Sequence, residues 1–488
     1  MDLIGRKQEI HTLEQMYSST TAEFLALYGR RRIGKTYLIR KFFECKPVIF
    51  FDVSGAKDGA LSEQIEHFTK QLQTVFYPGA TLTPAKNWDG AFEALTNAIQ
   101  NTPKQKKIVL FFDELPWMAT KNSKLLQSLD YYWNQHWSKD KRVKLIICGS
   151  SAAWIIQKVI KNKGGLHNRL TRTIYLAPFK LSETKDFLLS MKLKLTDAQI
   201  LLLYMVMGGI PYYLAKIPKN LSATQIIQRL AFQPKSFLAE EFDNLFASLF
   251  DADDGFYVKA VKLIAGRRDG IGKNELLKKM GKALMGSTGL KKLQELEETG
   301  FIKSFKPSYH ERQGTYYRIN DEYVLFYLKW IEPIHHTLQE DALEANYWES
   351  MSLTPEWQSW LGYAFEAVCY KHLALIRKAL QLNSTAQASS WRYVPRKGSK
   401  EQGAQIDLLF DRKDAAVTLC EIKYSQQPYV VNKEMVEILN RKMKSFKEKT
   451  RTKKQLFLAL ISANGVKNNS YADDLLSGTV TADDLFKD

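Results

Sequence analysis

Tyr28-Gly29-Arg30-Arg31-Arg32-Ile33-Gly34-Lys35-Thr36 is the stretch on which the reading of this chain turns. It fits the pattern G-x-x-x-x-G-K-[ST] at every fixed position. Phe24 to Tyr28 reads as a buried strand and Lys35 to Phe43 as a helix, which is the context the pattern requires. The glycines allow a tight bend that turns successive N–H groups toward a phosphate. A helix beginning near Lys35 adds unpaired donors and the positive end of its dipole. Lys35 is placed to hold the β- and γ-phosphates of ATP, and the Thr36 hydroxyl to hold Mg²⁺. Gly29, Arg30, Arg31, Arg32, Ile33, Gly34 and the following Tyr37 complete the expected nucleotide-binding stretch.

The 488 residues suggest two to four domains, and an apolar share of 45% with 12% aromatics is ample for packed cores. A formal charge of +18 favours a polyanionic partner, nucleic acid before membrane. Val324 to Leu328 is interrupted by Lys329, and no apolar run reaches the length of a membrane span. The opening residues lack a signal-peptide core, so the expected compartment is the cytoplasm. Cys45, Cys148, Cys369 and Cys420 show no metal or redox spacing.

Residues 1–180 alternate strands and helices, which predicts an α/β domain with a parallel sheet. Ile108 to Phe112 forms an apolar strand ending in Asp113 and Glu114. Asp113 is placed to bind Mg²⁺ and Glu114 to polarise the attacking water. After the strand Lys144 to Cys148, Ser150 is either a sensor of the γ-phosphate or the N-cap of the next helix. Arg169 is either a finger toward a nucleotide or a solvated surface residue. Residues 181–254 read as helices only, broken at Gly208-Gly209-Ile210-Pro211.

Ile4-Gly5-Arg6-Lys7-x-Glu9, the phosphate loop, Asp113-Glu114, Gly149-Ser150-Ser151 and Gly208-Gly209-Ile210-Pro211 occur in the order seen in the prokaryotic archaeal-type ATPases. The chain resembles this branch of the AAA+/STAND P-loop NTPases. The resemblance implies a five-stranded core with a helical lid, and it implies that Gly5, Arg6 and Pro211 flank the base and ribose. The family's opening box usually carries Glu where this chain has Lys7.

Residues 255–320 read as a winged helix-turn-helix, with helices at Tyr257 to Ile264, Lys273 to Met280 and Ser287 to Glu298. Strands at Phe301 to Phe305 and Thr315 to Ile319 would flank a wing. Fourteen Lys/Arg against six Asp/Glu leave this span with a surplus of eight positive charges. Lys291 and Lys292 on the third helix suit phosphate contacts, although such modules also pack as protein-interaction elements. Residues 321–355 form a helical connector whose aromatic density indicates packing against a neighbouring domain more than a flexible linker, with rings that could pack on either neighbour.

From Glu356 a helix is expected to run to Leu380, carrying Glu366. Gly403 to Phe410 is a strand containing Asp407, and Val417 to Lys423 a strand containing Glu421 and Lys423. Two residues apart in a strand, Glu421 and Lys423 share one face. Alternating charge on an exposed strand gives the same pattern. The span 356–488 resembles the PD-(D/E)XK restriction-endonuclease-like fold. By that resemblance Asp407 and Glu421 ligate Mg²⁺, Glu366 assists, and Lys423 orients the attacking water. The position before Asp407 is Ile406, where many active members have Pro. Together the resemblances imply an ATPase joined to a Mg²⁺-dependent nuclease-like domain, with nucleic acid, DNA first, as partner and defence as one setting. A regulatory ATP switch that binds DNA or protein without cleavage is the alternative. Oligomeric state is not fixed by the sequence, and a homo-oligomer is among the outcomes.

Overall fold

A computed structural model describes residues 3–161, 166, 168–249, 255–281, 286–309, 314–340, 343–344, 346–396, 398–399 and 401–487. The chain divides into two compact units, residues 1–178 with 298–300 and residues 179–297 with 301–488.

The first unit is built on β1 (Glu23–Tyr28), β2 (Val48–Ser54), β3 (Lys107–Asp113), β4 (Val143–Gly149) and β5 (Arg172–Tyr175). They lie in the order β2-β3-β4-β1-β5, every neighbouring pair parallel. Crossover helices cover both faces, so the central strands must be apolar on both. β4 is buried at every position and β3 at all but its first, whereas edge strand β5 buries one residue of four. On one face Phe51, Phe68, Phe92, Phe112, Trp88 and Trp137 form an aromatic core, with Phe92 and Phe112 stacked at 5.8 Å between centroids. The order of strands puts the ends of β1, β3 and β4 side by side.

The second unit opens with helices, among them Asp197–Met207, Pro211–Leu214, Ala223–Ala231 and Phe237–Leu249. Next come helices Phe256–Ala265, Lys273–Met280 and Ser287–Glu298, with a small antiparallel sheet of β6 (Ile271–Gly272), β7 (Ile302–Phe305) and β8 (Tyr316–Ile319) in the order β6-β8-β7. The tip of the expected wing, 310–313, lies outside the described residues.

The aromatic connector is packed within the second unit. Tyr323, Tyr327, Trp330 and Trp348 are buried. Tyr327 stacks on Phe242 at 4.2 Å, Trp348 stacks on Phe232 at 4.6 Å, and the Tyr323 hydroxyl donates to the Leu238 carbonyl at 2.7 Å. These rings are core of the second unit, and releasing them would expose large apolar areas. The connector is therefore no free element able to pack on either side.

The rest of the unit runs helix Pro355–Lys371, helix Leu373–Ala379, β9 (Gln387–Tyr393), β10 (Ala404–Asp411), β11 (Ala416–Lys423), helix Lys433–Thr450, β12 (Gln455–Ser462) and β13 (Gly478–Val480). The sheet order is β13-β12-β11-β10-β9, antiparallel from β9 to β11 and parallel from β11 to β13. The expected helix from Glu356 to Leu380 is thus two helices, broken at His372. His372 is buried at the break, its Nδ1 donating to the Val368 carbonyl and its Nε2 accepting from the Leu181 N–H. Burial brings its pKa down to about 4, so the ring is neutral at physiological pH.

Candidate nucleotide site and carboxylate cluster

In the first unit the phosphate loop follows β1. Gly29 has φ +148°, and a Cβ there would lie 2.3 Å from the Leu176 carbonyl oxygen, so only glycine fits. Gly34 also has a positive φ, and so does Arg32. Lys35 is buried, and its Nζ donates to the carbonyls of Gly29 at 3.0 Å and Arg30 at 2.8 Å. The ammonium is thereby held over the loop. Arg30 is buried, Arg31 half-buried and Tyr37 exposed; Ile33 packs inside.

The Thr36 hydroxyl donates to Asp113 Oδ2 at 2.8 Å, joining the loop to the end of β3. Asp113 Oδ1 accepts from the Glu114 N–H at 3.1 Å. Glu114 follows in the left-handed region at φ +48°, an uncommon conformation for a residue with a side chain. Its Oε2 accepts from both the N–H and the hydroxyl of Ser150, each at 2.9 Å. Ser150 therefore positions Glu114. The helix N-cap alternative for Ser150 is corrected, because the cap is Ser151, whose hydroxyl accepts from the Trp154 N–H.

Arg6, also left-handed at φ +58° beside Gly5, is buried. Its guanidinium donates to the carbonyls of Ile33 and Ala177, fastening the opening segment to the loop. Arg169 is exposed, and its side chain makes no hydrogen bond or ion pair among the described residues. Pro211 begins its short helix in the second unit.

In the second unit Asp407, Glu421, Lys423 and Glu366 come from three elements. Leu408 faces Cys420 across β10 and β11, and Asp407 and Glu421 continue that register one step outward. The pairing of β9 with β10 slips by one residue between Ile406 and Leu409, an irregularity that takes in Asp407 and Leu408. Bulges re-aim side chains and interrupt pairing. Asp407 Oδ2 accepts from the Ile422 N–H at 3.0 Å. Glu421 is buried and paired with Lys423 at 2.8 Å.

Sequence reasoning missed Lys442. From helix Lys433–Thr450 its Nζ reaches both Glu421 oxygens, at 2.8 and 2.6 Å. A signal was present. Met435, Leu439 and Phe446 form the buried stripe of that helix, and Lys442 falls on the same stripe by spacing. A lysine there needs an anionic partner.

Burial raises the Glu366 carboxyl well above the ordinary range, and Asp407 adds to the effect. Burial likewise raises Asp407, with Glu421 adding repulsion. The Lys423 ammonium is also raised: burial opposes this, but Glu421 outweighs it. Among the described residues no three His, Cys, Asp or Glu side chains converge closely enough to hold a metal ion. Of the two lysines expected to meet phosphate, Lys291 is exposed, while Lys292 lies over the rings of Phe256 and Tyr257 at 5.1 and 5.5 Å.

A parallel sheet in this order, with the phosphate loop after β1 and Asp113-Glu114 at the end of β3, is the fold and site of a P-loop nucleotide-binding ATPase. Residues 3–217 match the family described as an ATPase domain predominantly from Archaea, and the chain carries an archaeal-type ATPase domain. An uncharacterized protein of Methanocaldococcus jannaschii is 27% identical over 427 residues, 86% of this chain and 87% of that protein. An uncharacterized ATP-binding protein of the same organism is 47% identical over 45 residues, 9% of this chain and 76% of that protein. Among solved structures, the chain is similar to a Walker-type ATPase of Pyrococcus abyssi at 18% identity and a TM-score of 0.48, covering 67% of this chain and 96% of that one. It is similar to the ORC2 protein of Aeropyrum pernix at 15% identity and a TM-score of 0.43, covering 72% of this chain and 96% of that one. No helix among the described residues is long and apolar enough to cross a membrane.

Proposed function

We propose that the ATPase domain hydrolyses ATP and is coupled to a Mg²⁺-dependent nuclease-like domain, residues 356–488, acting on nucleic acid with DNA as the first candidate. In the first unit Lys35 and the loop N–H groups would hold the phosphates, Glu114 would orient the attacking water, and Ser150 would hold Glu114. The Thr36 hydroxyl and Asp113 carboxylate, 2.8 Å apart, offer the oxygen donors a hard cation takes. Mg²⁺ bound there would neutralise charge on the phosphates.

The observation that carries the second half of the reading is the approach of Asp407 on β10 to Glu421 and Lys423 on β11: Asp407 Oδ2 accepts from the Ile422 N–H at 3.0 Å, and Lys423 pairs with Glu421 at 2.8 Å. Helix, three antiparallel strands, helix and parallel strand follow in the order of a PD-(D/E)XK domain. Asp407 and Glu421 would hold Mg²⁺ once the ammonium of Lys442 leaves Glu421, and Lys423 would place the water. Residues 255–320 are proposed as a winged helix that contacts phosphates through Lys291 and the surrounding basic surface.

A binding-only reading has an observation in its favour, since both Glu421 oxygens are held by lysine. The two readings part on incubating the full chain with plasmid or single-stranded DNA and Mg²⁺ or Mn²⁺, with ATP or ADP. Metal-dependent cleavage whose rate differs between nucleotides is expected. Binding with no cleavage under any of these conditions would leave the regulatory switch.

A further inference from the structure

Beside the carboxylate cluster lies a cavity of about 470 Å³. One wall comes from the small antiparallel sheet and the turn before it, through Arg268, Phe305, Tyr316 and Arg318. The other comes from the helix Pro355–Lys371 and strands β9 and β10, through Tyr363, Tyr370, Tyr393, Glu366 and Asp407. Two modules separated in sequence thus enclose one space.

The lining is chemically divided. The Arg318 guanidinium stacks 3.5 Å from the centroid of the Tyr370 ring, and Arg268 lies 5.4 Å over Tyr363. The Tyr370 hydroxyl donates to the carbonyl of Asp407, which ties the arginine stack to the strand carrying the carboxylate. Arg392 is paired with Asp269, so the arginines directed at the space are those stacked on tyrosines. Aromatic rings interleaved with arginine bind unpaired bases and the phosphates between them. A space of this volume encloses a group of small-molecule size and is too small to bury a double helix.

We propose that this cavity receives an unpaired nucleotide of a single-stranded nucleic acid, its base against Tyr316 and Tyr363 and its phosphate between Arg268, Arg318 and the carboxylate cluster. The inference rests on the nuclease-like reading of Asp407 and Glu421 and adds a substrate class to it. Single strands, frayed ends and extruded nucleotides would enter, and an intact duplex would be held only from outside.

The test measures fluorescence anisotropy of a labelled deoxythymidine oligonucleotide and of a matched duplex with the full-length chain in EDTA. The parent is compared with Tyr316→Ala and with Arg268→Glu, the latter an exposed position that keeps the test open should Tyr316→Ala fold poorly. Each variant is expected to weaken single-strand binding about tenfold or more and duplex binding several-fold less, with ATP hydrolysis within about twofold of the parent. Equal weakening of both DNA forms, or of neither, overturns the cavity assignment while leaving nucleic-acid binding in place. Competition by thymidine monophosphate as effective as by the oligonucleotide also overturns it, in favour of a free-nucleotide site. A parent that binds neither DNA form removes the nucleic-acid reading, and the cavity assignment with it.

Discussion

The phosphate loop and the carboxylate cluster would both act on phosphates, yet they are assembled in opposite ways. The loop is one continuous stretch whose backbone makes the site, and its defining contacts, Lys35 to the carbonyls of Gly29 and Arg30, are local. The carboxylate cluster draws Glu366, Asp407, Glu421 with Lys423, and Lys442 from four elements. Its charges are buried, mutually repelling and restrained by lysines. A site made by backbone is preorganised whatever its side chains do. A site made of buried charges is poised, and what occupies it sets its protonation and its stability.

The largest expected effect lies on the backbone-made side. Lys35→Ala should weaken ATP binding on the order of a hundredfold, because the charge-assisted contact to the phosphates is lost. Equilibrium titration with a fluorescent ATP analogue measures it, and unchanged affinity would break the contrast at its root.

On the other side, Lys442→Ala leaves a buried carboxylate short of a partner. A loss of about 2 kcal/mol is expected in EDTA, with a smaller loss in millimolar Mn²⁺ if a cation can take the place of the ammonium. Thermal melts in the two buffers decide this. An equal loss in both would make Lys442 a purely structural partner.

Ser150→Ala should lower ATP turnover about tenfold while leaving ATP affinity near the parent's, since only the orientation of Glu114 changes. Steady-state kinetics separates the two, and a loss confined to affinity would return Ser150 to contact with the phosphates.

The smallest effect has a pH signature. The folded-state pKa of Glu366 is raised, so its contribution to stability is complete below the ordinary carboxyl range and is lost as pH rises through the raised value. Glu366→Gln should therefore melt higher than the parent above neutral pH, by roughly 2 °C or more. The gap should close toward about pH 3, where both states of the parent are protonated. A gap independent of pH would mean that the carboxyl is not raised.

How much the sequence disclosed follows the same contrast. Sheet, loop and the Asp113-Glu114 strand end were legible because spacing within one segment specifies them. Asp407, Glu421 and Lys423 stand on the strands expected for them, but the register slip around Asp407 and Leu408 is a property of pairing with β9. That strand, Gln387–Tyr393, is rich in polar residues and escaped notice. Ser150 and Ser151 are adjacent hydroxyls, and only the backbone assigns one to Glu114 and the other to the cap. The break at His372 escaped because helical periodicity continues through it. It depends on hydrogen bonds to Val368 and, far away in sequence, Leu181.

The central claim is that one chain carries two separate phosphate chemistries. Its most direct test measures ATP hydrolysis and cleavage of labelled single-stranded DNA in the same Mg²⁺ or Mn²⁺ reaction, for the parent and for Asp407→Ala. The account predicts that Asp407→Ala abolishes cleavage and keeps ATP hydrolysis within about twofold, since the nucleotide site would take its own ligands from Thr36 and Asp113. Cleavage that survives Asp407→Ala, or a parent that hydrolyses ATP and never cuts, would contradict it.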